Sequence, residues 1–385
     1  MTHSPSGVAR ARGAGGLAAR VMVAFAVTSV PISCESAQRE RGEDATIRSS
    51  KTLAETRGPS GEEATPASAL TLTSRDVAKV QAGHNTAVFV WHEESDFTEA
   101  VTAGARDEFQ RLGIRVVAET SAGFDPAKQR ADVETVAAKK PDVMLTLPID
   151  PVITAPAYKQ VAREGTKIVL LSNRPQGMEY GRDYVNVVSD DLFDMGKRAA
   201  DALAAAVGGK GDVGYFFRDA SSFVANQRDQ AFLQTLTTNY PRIDVVARQG
   251  IADPNQAEEQ ANGMLVGHPD LEGVYVTFSQ PPGDGVLAAL RANGNTTTRI
   301  VSLDLDEPLA LDMANRGQTF ALIADRAHEL GRALAKSAAY GLLGKRAPPF
   351  VIVPALTITR SNLAEGYRES LNREPPASVL KALGR

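Results

Sequence analysis

The sequence has very little cysteine and histidine. Cys34 is its only cysteine, and the five histidines among 385 residues form no pair at the spacing of a metal site. An internal disulfide and a cysteine metal site are therefore excluded. The formal net charge of −4 argues against the basic surface that nucleic-acid binding requires. We expect no metal, no cofactor and no nucleic-acid partner.

Sequence motifs of catalysis are also missing. The glycine-rich stretch "GGKGD" (208–212) precedes a strand and lacks the spacing of a phosphate-binding loop. The stretch "WHEES" (91–95) begins like a zinc-protease helix, but Asp96 stands where the second histidine would be. No G-x-S-x-G nucleophile elbow occurs. The protein is therefore predicted not to be an enzyme.

The first 33 residues have the features of an export signal. Arginines without any acidic residue precede the apolar run "VMVAFAVTSVPIS", which has the length of a signal-peptide core and is too short for a mature membrane span. Cys34 follows directly, as the lipid-bearing cysteine of a bacterial lipoprotein does. We predict a signal peptide over 1–33 and lipidation of Cys34. The alternative is an ordinary cleaved signal, since Pro31 stands where lipoprotein signals prefer leucine.

Residues 34–82 are predicted to form a flexible tether. The segment is rich in Glu, Arg, Ser, Thr and Ala, and it has few large apolar residues. Such a composition buries too little surface to offset the entropy of ordering the chain. A signal followed by a tether predicts a folded part in the periplasm or at the cell surface, attached to the membrane only through a lipid anchor.

From about residue 85 short apolar runs alternate with helical stretches. The runs "TAVFVW", "PDVMLTL" and "TKIVLLS" are continuously apolar, as strands buried on both faces of a parallel sheet should be. The alternation restarts at "GDVGYFF", so we predict an α/β fold of two similar doubly wound parallel-sheet lobes joined by a multi-strand hinge. The predicted boundaries are 83–189 plus 325–353 for lobe 1 and 190–324 plus 354–375 for lobe 2.

The residues that follow the apolar runs are mostly polar. In open parallel sheets ligands bind beyond the carboxyl ends of the strands, so these residues predict a cleft for a small polar molecule. Trp91 and Phe97 can be core residues or an apolar platform for a sugar ring. Arg228 can be a solvated helix residue, or it can donate two hydrogen bonds to adjacent oxygens of a ligand.

The stretch "IVSLDLDEP" (300–308) ends an apolar run in three carboxylates. Asp304 and Asp306 could form the acid pair of a hydrolase if the strand continued, because alternate strand positions share a face. Pro308 and the helical residues behind it instead favour a strand end near Asp304. Asp306 and Glu307 then begin the next helix, where acids complement the helix dipole. Asp304 alone is predicted to face the cleft.

The sequence from about 85 to 365 resembles the periplasmic sugar-binding proteins of ABC importers, of the ribose-binding type. "NQRDQAF" is similar to the R-x-x-G-F sugar-binding helix of that family, with Ala231 in place of the glycine. "VNVVSDDLFDMGKRAADALA" resembles its crossover between lobes, and "IVSLDLDEP" resembles its V-G-F-D region. The resemblance implies a type 1 periplasmic binding fold, a sugar-like ligand, ABC permease subunits as partners and a monomeric state.

The resemblance also implies ligand residues. The family's aromatic pair falls on Phe97 and Thr98, and its Asp-Arg dipeptide has become Ser-Asn, so the scaffold is better supported than a pyranose or ribose ligand. The hinge glutamine of the family falls on Asp325. With Trp91 added, the predicted ligand-binding residues are Trp91, Ser95, Phe97, Ser172, Asn173, Arg174, Arg228, Ser279, Asp304 and Asp325.

The predicted function is that of an extracytoplasmic solute receptor, which closes two lobes over its ligand and delivers it to an ABC importer. The alternative is a sensory binding protein that presents its closed form to a histidine kinase or chemoreceptor. LacI-type repressors share the fold, but they need a helix-turn-helix where this sequence has a signal and an acidic tether.

Overall fold

The computed structural model describes residues 55–219 and 222–385. The signal peptide predicted over 1–33, Cys34 and the first part of the predicted tether lie outside the described residues. The strands form two sheets. The first sheet contains β1 (Thr65–Pro66), β2 (Thr86–Trp91), β3 (Arg115–Ser121), β4 (Val143–Thr146), β5 (Lys167–Leu171), β6 (Val187–Asp190) and β12 (Phe350–Val353). The second contains β7 (Gly211–Arg218), β8 (Ile243–Ile251), β9 (Gly273–Val276), β10 (Arg299–Leu303), β11 (Thr319–Ala324) and β13 (Leu356–Ile358).

Helices connect successive strands and cover both sheets. They are α1 (Ser74–Ala82), α2 (Asp96–Leu112), α3 (Pro126–Ala137), α4 (Ala155–Arg163), α5 (Leu192–Ala206), α6 (Phe223–Asn239), α7 (Ala257–Gly267), α8 (Asp284–Ala292), α9 (Glu307–Ala314), α10 (Ala327–Leu342), α11 (Leu363–Leu371) and α12 (Ala377–Ala382). Within the described part of the chain, none of these helices combines the length and the apolar composition needed to cross a bilayer.

Both sheets consist of parallel strands with one exception at an edge. The strand order is β1-β12-β6-β5-β4-β2-β3 in the first sheet and β13-β11-β10-β9-β7-β8 in the second. Among the described strands, only β11 and β13 pair antiparallel. Every residue of β4 and β9 is buried, which explains why these strands are continuously apolar in sequence. The predicted α/β fold of two parallel-sheet lobes is confirmed.

The chain passes between the two sheets after β6, after β11 and between β12 and β13. After β11, helix α10 returns to the first lobe and packs against α2. The two helices approach closely at Gly104 and Gly331, where an added Cβ would lie 1.9 Å from a backbone oxygen of the opposite helix. These three crossings are the segments about which the lobes can rotate.

The predicted tether of 34–82 is too long, because residues 55–82 are folded. β1 pairs with β12 at the edge of the first sheet, and α1 follows it. Leu70 and Val80 are each only 2% exposed and belong to the hydrophobic core. A capping box at Thr73 fixes the start of α1. A few well-placed apolar side chains and a helix cap thus order a segment whose average composition is that of a linker.

The first described residues also contact the second lobe. The hydroxyl of Thr56 accepts a hydrogen bond from the backbone N–H of Phe193 at 2.8 Å and donates one to the carboxylate of Asp191, at the start of α5. The side-chain amide of Gln227 forms two hydrogen bonds of 3.2 Å with the backbone of Arg57. Because β1 belongs to the first sheet, this segment bridges the lobes beside the α6 helix.

Candidate functional site

Four ionisable side chains meet where strands of both lobes end. Asp190 ends β6, Asp304 follows β10, Asp325 follows β11, and Arg228 lies in the second turn of α6. We call Asp190, Arg228, Asp304 and Asp325 the charged cluster. Three carboxyl groups around one guanidinium group make a site that accepts and donates hydrogen bonds within a small space. Sequence reasoning found three of the four and missed Asp190.

Arg228 and Asp304 form the ion pair at the centre of the charged cluster. Nη1 of Arg228 donates a hydrogen bond to Oδ1 of Asp304 at 2.8 Å. The Arg228 side chain is 8% exposed, whereas that of Asp304 is 34% exposed. Burial alone would lower the pKa of Arg228, but Asp304 and Asp325 outweigh it and raise that pKa. The guanidinium group therefore stays charged inside the protein, and the Asp304 carboxylate faces open space.

The backbone around these two residues holds them in position. Helix α5 approaches α6 at Gly196, where an added Cβ would lie 2.2 Å from the backbone oxygen of Arg228. Asp304 has a φ of 69°, and its N–H donates to the carbonyl oxygen of Ile323 at 2.8 Å. A left-handed backbone is uncommon for residues other than glycine, although aspartate tolerates it better than most. The turn ends β10 at Asp304 and directs the chain into α9.

Asp190 and Asp325 form a second pair in the charged cluster. The charge of each carboxyl group acts on the other, and among the described residues Oδ1 of each has no hydrogen-bond partner. Burial raises the pKa of Asp190 to about 7, against the opposing effect of Arg228. Burial, followed by Asp190 and Asp304, raises the pKa of Asp325 well above its ordinary value. Burial and mutual repulsion therefore oppose two negative charges on this pair near neutral pH.

Asp190 could have been found from the sequence by the rule that polar residues follow the carboxyl ends of strands. The run "VNVVSDD" is apolar and then acidic, in the same way as "IVSLDLDEP". Its pairing with Asp325 could not have been found, because it depends on how β6 of the first lobe meets β11 of the second.

The predicted polar residues Ser172, Asn173 and Arg174 follow β5, and their hydrogen bonds stay inside the first lobe. Ser172 is 4% exposed, and its hydroxyl lies 3.1 Å from that of Ser189. Nδ2 of Asn173 donates to the carbonyl oxygen of Pro148 at 2.8 Å. Nη1 of Arg174 donates to the carbonyl oxygen of Met178, also at 2.8 Å.

Arg174 therefore does not compensate for the missing arginine of the Asp-Arg dipeptide. Its guanidinium group is directed to its own loop rather than to the charged cluster.

The prediction that Trp91 binds ligand is wrong. Trp91 is 2% exposed, and its ring stacks on Phe89 at a centroid distance of 5.6 Å. Its Nε1 donates to the hydroxyl of Thr102 at 2.8 Å, on helix α2. Trp91 is still the last residue of β2 rather than part of the loop, so its side chain enters the core beneath α2.

Ser95 and Phe97 begin helix α2 beside the cleft. Ser95 is the N-cap residue, and its hydroxyl accepts from the N–H of Thr98 while Thr98 Oγ1 accepts from the N–H of Ser95. The hydroxyl of Ser95 is thus engaged in a capping box, which is a structural role that the sequence prediction did not assign to it. Phe97 is half-buried and packs against the core and against the ring of His92.

Ser279 supports the charged cluster from behind. It is 1% exposed, and its hydroxyl donates to the backbone oxygen of Asp304 at 3.1 Å. It begins an irregular turn, Ser279–Gly283, that contains Pro281 and Pro282. Ser279 thereby stabilises the turn that carries the Asp304 carboxylate.

Asp306 and Glu307 begin α9, as the sequence predicts. Asp306 is the N-cap residue, and its carboxylate accepts from the N–H of Leu309 at 3.2 Å. Burial and the neighbouring Asp284 raise the pKa of Asp306 to about 8. The interpretation that Asp306 and Glu307 begin the next helix, separate from Asp304, is confirmed, and Asp306 is the one that caps it.

Two functional candidates of the first lobe were missed in the sequence. His92 and Phe124 lie beside Phe97, with the His92 ring 6.5 Å from that of Phe97 and 5.2 Å from that of Phe124. We call Phe97, His92 and Phe124 the aromatic strip. Within residues 55–219 and 222–385, no group of three or more His, Cys, Asp or Glu side chains is arranged to hold a metal ion.

Residues 86–346 match the family model described as a periplasmic binding protein domain. The chain belongs to this family. As a periplasmic binding protein it binds a solute and is not an enzyme, and membership implies a location outside the cytoplasm. No curated protein matches the sequence.

Solved structures of similar proteins share this fold. The arabinose-binding protein AraP of Geobacillus stearothermophilus has a TM-score of 0.66 at 20% identity, covering 73% of this chain and 98% of that one. An ABC transporter solute-binding protein of Agrobacterium vitis, bound to α-D-tagatopyranose, has a TM-score of 0.65 at 24% identity, covering 76% and 99%. One from Actinobacillus succinogenes, bound to D-allose, has a TM-score of 0.63 at 20% identity, covering 73% and 99%.

Proposed function

We propose that this periplasmic binding protein is a receptor for a sugar or sugar-like molecule, which it binds between its lobes and delivers to an ABC importer. The sugars named for the similar structures, arabinose, tagatose and allose, support the ligand class. Delivery to an importer is supported by the description of two of them as ABC transporter solute-binding proteins.

The observation that carries the proposal is the ion pair of Arg228 and Asp304 beyond the carboxyl ends of the second sheet, with the half-buried ring of Phe97 beyond the carboxyl end of β2 in the first. A sugar hydroxyl both donates and accepts hydrogen bonds, so adjacent hydroxyls match a carboxylate beside a guanidinium group. The C–H face of a sugar ring is weakly apolar and matches an aromatic side chain. Phe97, Arg228, Asp304 and Asp325 are therefore the proposed ligand contacts, and Ser172, Asn173 and Ser279 support their loops.

A thermal-shift screen followed by calorimetry tests this proposal. The panel contains L-arabinose, D-ribose, D-allose, D-tagatose, allitol and several nucleosides. A ligand at a hundred times its Kd should raise the melting temperature by about 5 °C, given the size of the domain. Asp304→Ala should abolish the shift, while Asp270→Ala, which removes an exposed carboxylate elsewhere in the second lobe, should preserve it. A panel without a single stabilising compound would overturn the proposed ligand class.

Attachment to the membrane through Cys34 belongs to the same proposal, together with a monomeric state. The position of the only cysteine directly after the apolar run supports it. In a bacterial host, palmitate labelling should mark the full chain and should be lost in Cys34→Ser, with the variant released from the membrane fraction. Labelling that persists in the variant would contradict a lipid anchor at this residue. Light scattering of the soluble part should give the mass of one chain.

A further inference from the structure

Phe124 is unusual both in the exposure of its ring and in its backbone conformation. Its side chain is 59% exposed, and its φ is 61°, in the left-handed region. A bulky aromatic residue is a genuine outlier in that region, and here its ring also lies in water. The preceding Gly123 has a φ of 59°, and Asp125 caps α3, so the turn itself requires this backbone. Asparagine or glycine would satisfy the turn without the strain.

The position of Phe124 connects it to the cleft. It follows β3 at the carboxyl edge of the first sheet, and its N–H donates to the carbonyl oxygen of His92 at 2.8 Å. The His92 ring lies edge-on to Phe124, at 80°, and also to Phe97, at 73°. His92 is 8% exposed, so it is the buried centre of the aromatic strip. The two phenylalanines flank it.

The direction of the strip follows from the strand order. β2 precedes Phe97 and has β3 as its outer neighbour, and β3 forms the edge of the first sheet. Phe124 therefore lies farther from the hinge strands β6 and β12 than Phe97 does. A single sugar ring held by Arg228 and Asp304 over Phe97 does not need Phe124, whereas a ligand that extends from Phe97 towards the β3 edge of the first sheet would approach it.

We propose that Phe124 is a second apolar platform, which stacks against the second ring of a two-ring ligand such as a disaccharide while the first ring lies over Phe97. This inference rests on the proposed sugar-binding function and narrows its ligand class. Strain that is retained in a loop indicates a function for the strained residue, and an aromatic face at the rim of a sugar cleft provides one.

Calorimetry with maltose, cellobiose, lactose and melibiose, beside glucose, galactose and the monosaccharides of the panel, tests the platform. The wild-type protein should bind at least one disaccharide more tightly than either component monosaccharide. Phe124→Asn should lower the affinity for that disaccharide about tenfold, as expected for the loss of one aromatic stack. The affinity for monosaccharides should change by less than about twofold. Phe124→Tyr, which keeps the ring, should bind like the wild type.

Stability provides an independent readout. Because asparagine accepts the left-handed backbone, Phe124→Asn should melt at the same temperature as the wild type or higher, so a binding loss cannot be attributed to unfolding. Equal effects on one-ring and two-ring sugars, or none on either, would overturn the platform while leaving the sugar receptor intact. Intact sugar binding with lost transport would assign Phe124 to a contact with the importer instead. If the wild-type protein binds none of the sugars, both the sugar-receptor function and the Phe124 platform are contradicted.

Discussion

The two faces of the cleft differ in chemistry. The second lobe contributes three ionisable side chains: Arg228 and Asp304, which form an ion pair, and Asp325. The first lobe contributes mostly rings and neutral groups: Phe97 and His92 belong to the aromatic strip, and the polar groups of its Ser172–Arg174 loop are bonded within the lobe. The difference suggests a division of tasks, in which the second lobe supplies directional hydrogen bonds and the first lobe supplies shape.

The charged face is also preorganised. Arg228 is held by Asp304 before any ligand arrives, and the packing of α5 on α6 fixes its backbone. A preformed arrangement of charges loses little entropy when a ligand binds. We therefore expect substitutions on the second lobe to affect affinity most, and substitutions on the first lobe to affect selectivity among ring sizes and lengths.

The largest effect is expected from Arg228→Ala. Affinity for the ligand should fall by at least about a hundredfold, because truncating one partner of a buried charge pair leaves the carboxylates unpaired. Stability should fall by about 3 kcal/mol for the same reason. Isothermal calorimetry and urea unfolding measure the two losses.

Arg291→Ala is the matched control for Arg228→Ala. The side chain of Arg291 pairs with Asp312 at 2.7 Å in the second lobe and is 61% exposed. Arg291→Ala therefore breaks another arginine–aspartate pair, in which the arginine is exposed. Its affinity should equal that of the wild type. If both variants lose affinity alike, the charged face is not the source of binding energy.

The next effect concerns pH and the Asp190–Asp325 pair. Asp190 has a folded pKa of about 7, above its unfolded value, so the folded state binds more protons between about pH 4 and pH 7. The contribution of this group to stability is therefore fully present below the unfolded pKa and is lost as the pH rises through 7. Asp190→Asn replaces the titrating carboxyl group with an amide of the same size that does not titrate, and should remove this slope.

Urea unfolding at pH 5 and pH 8 measures the change. At pH 8 the free energy of unfolding of Asp190→Asn should exceed that of the wild type by about 2 kcal/mol, and at pH 5 the two values should be close. Asp244→Asn, which changes an exposed carboxylate on β8, should leave the slope unchanged. A wild-type slope retained in Asp190→Asn would show that Asp190 is not the group that binds the proton in the folded state, and would weaken the contrast between the two faces.

Phe97→Ala tests the face of the first lobe, with a smaller effect. Loss of one aromatic contact should weaken binding about fivefold to tenfold, and Phe97→Leu, which keeps apolar bulk without the ring, should restore only part of it. Calorimetry with one sugar and its polyol separates ring stacking from general burial, since the open-chain polyol has no ring face. A loss as large as that of Arg228→Ala would contradict the division of tasks.

The fold was predictable because strands buried on both faces are continuously apolar, a pattern that β4 and β9 show without interruption. Arg228 and Asp304 were predictable because strand ends and helix starts of a parallel sheet converge. The pairing of Asp190 with Asp325 was not, since it joins residues of different lobes. The order of residues 55–82 was also missed, because Leu70 and Val80 are too sparse to alter the composition of that segment.

Trp91→Phe should have the smallest effect on binding, and it tests whether position 91 belongs to the core or to the cleft of the first lobe. Trp91 is the last residue of β2, so the sequence pattern alone could not decide which way its ring points. Phenylalanine keeps most of the packing on Phe89 but loses the hydrogen bond to Thr102, which should cost about 1 kcal/mol of stability. Affinity measured by calorimetry should stay within a factor of two of the wild type. A tenfold loss of affinity would instead mean that ligand contacts extend beneath α2 into the core of the first lobe.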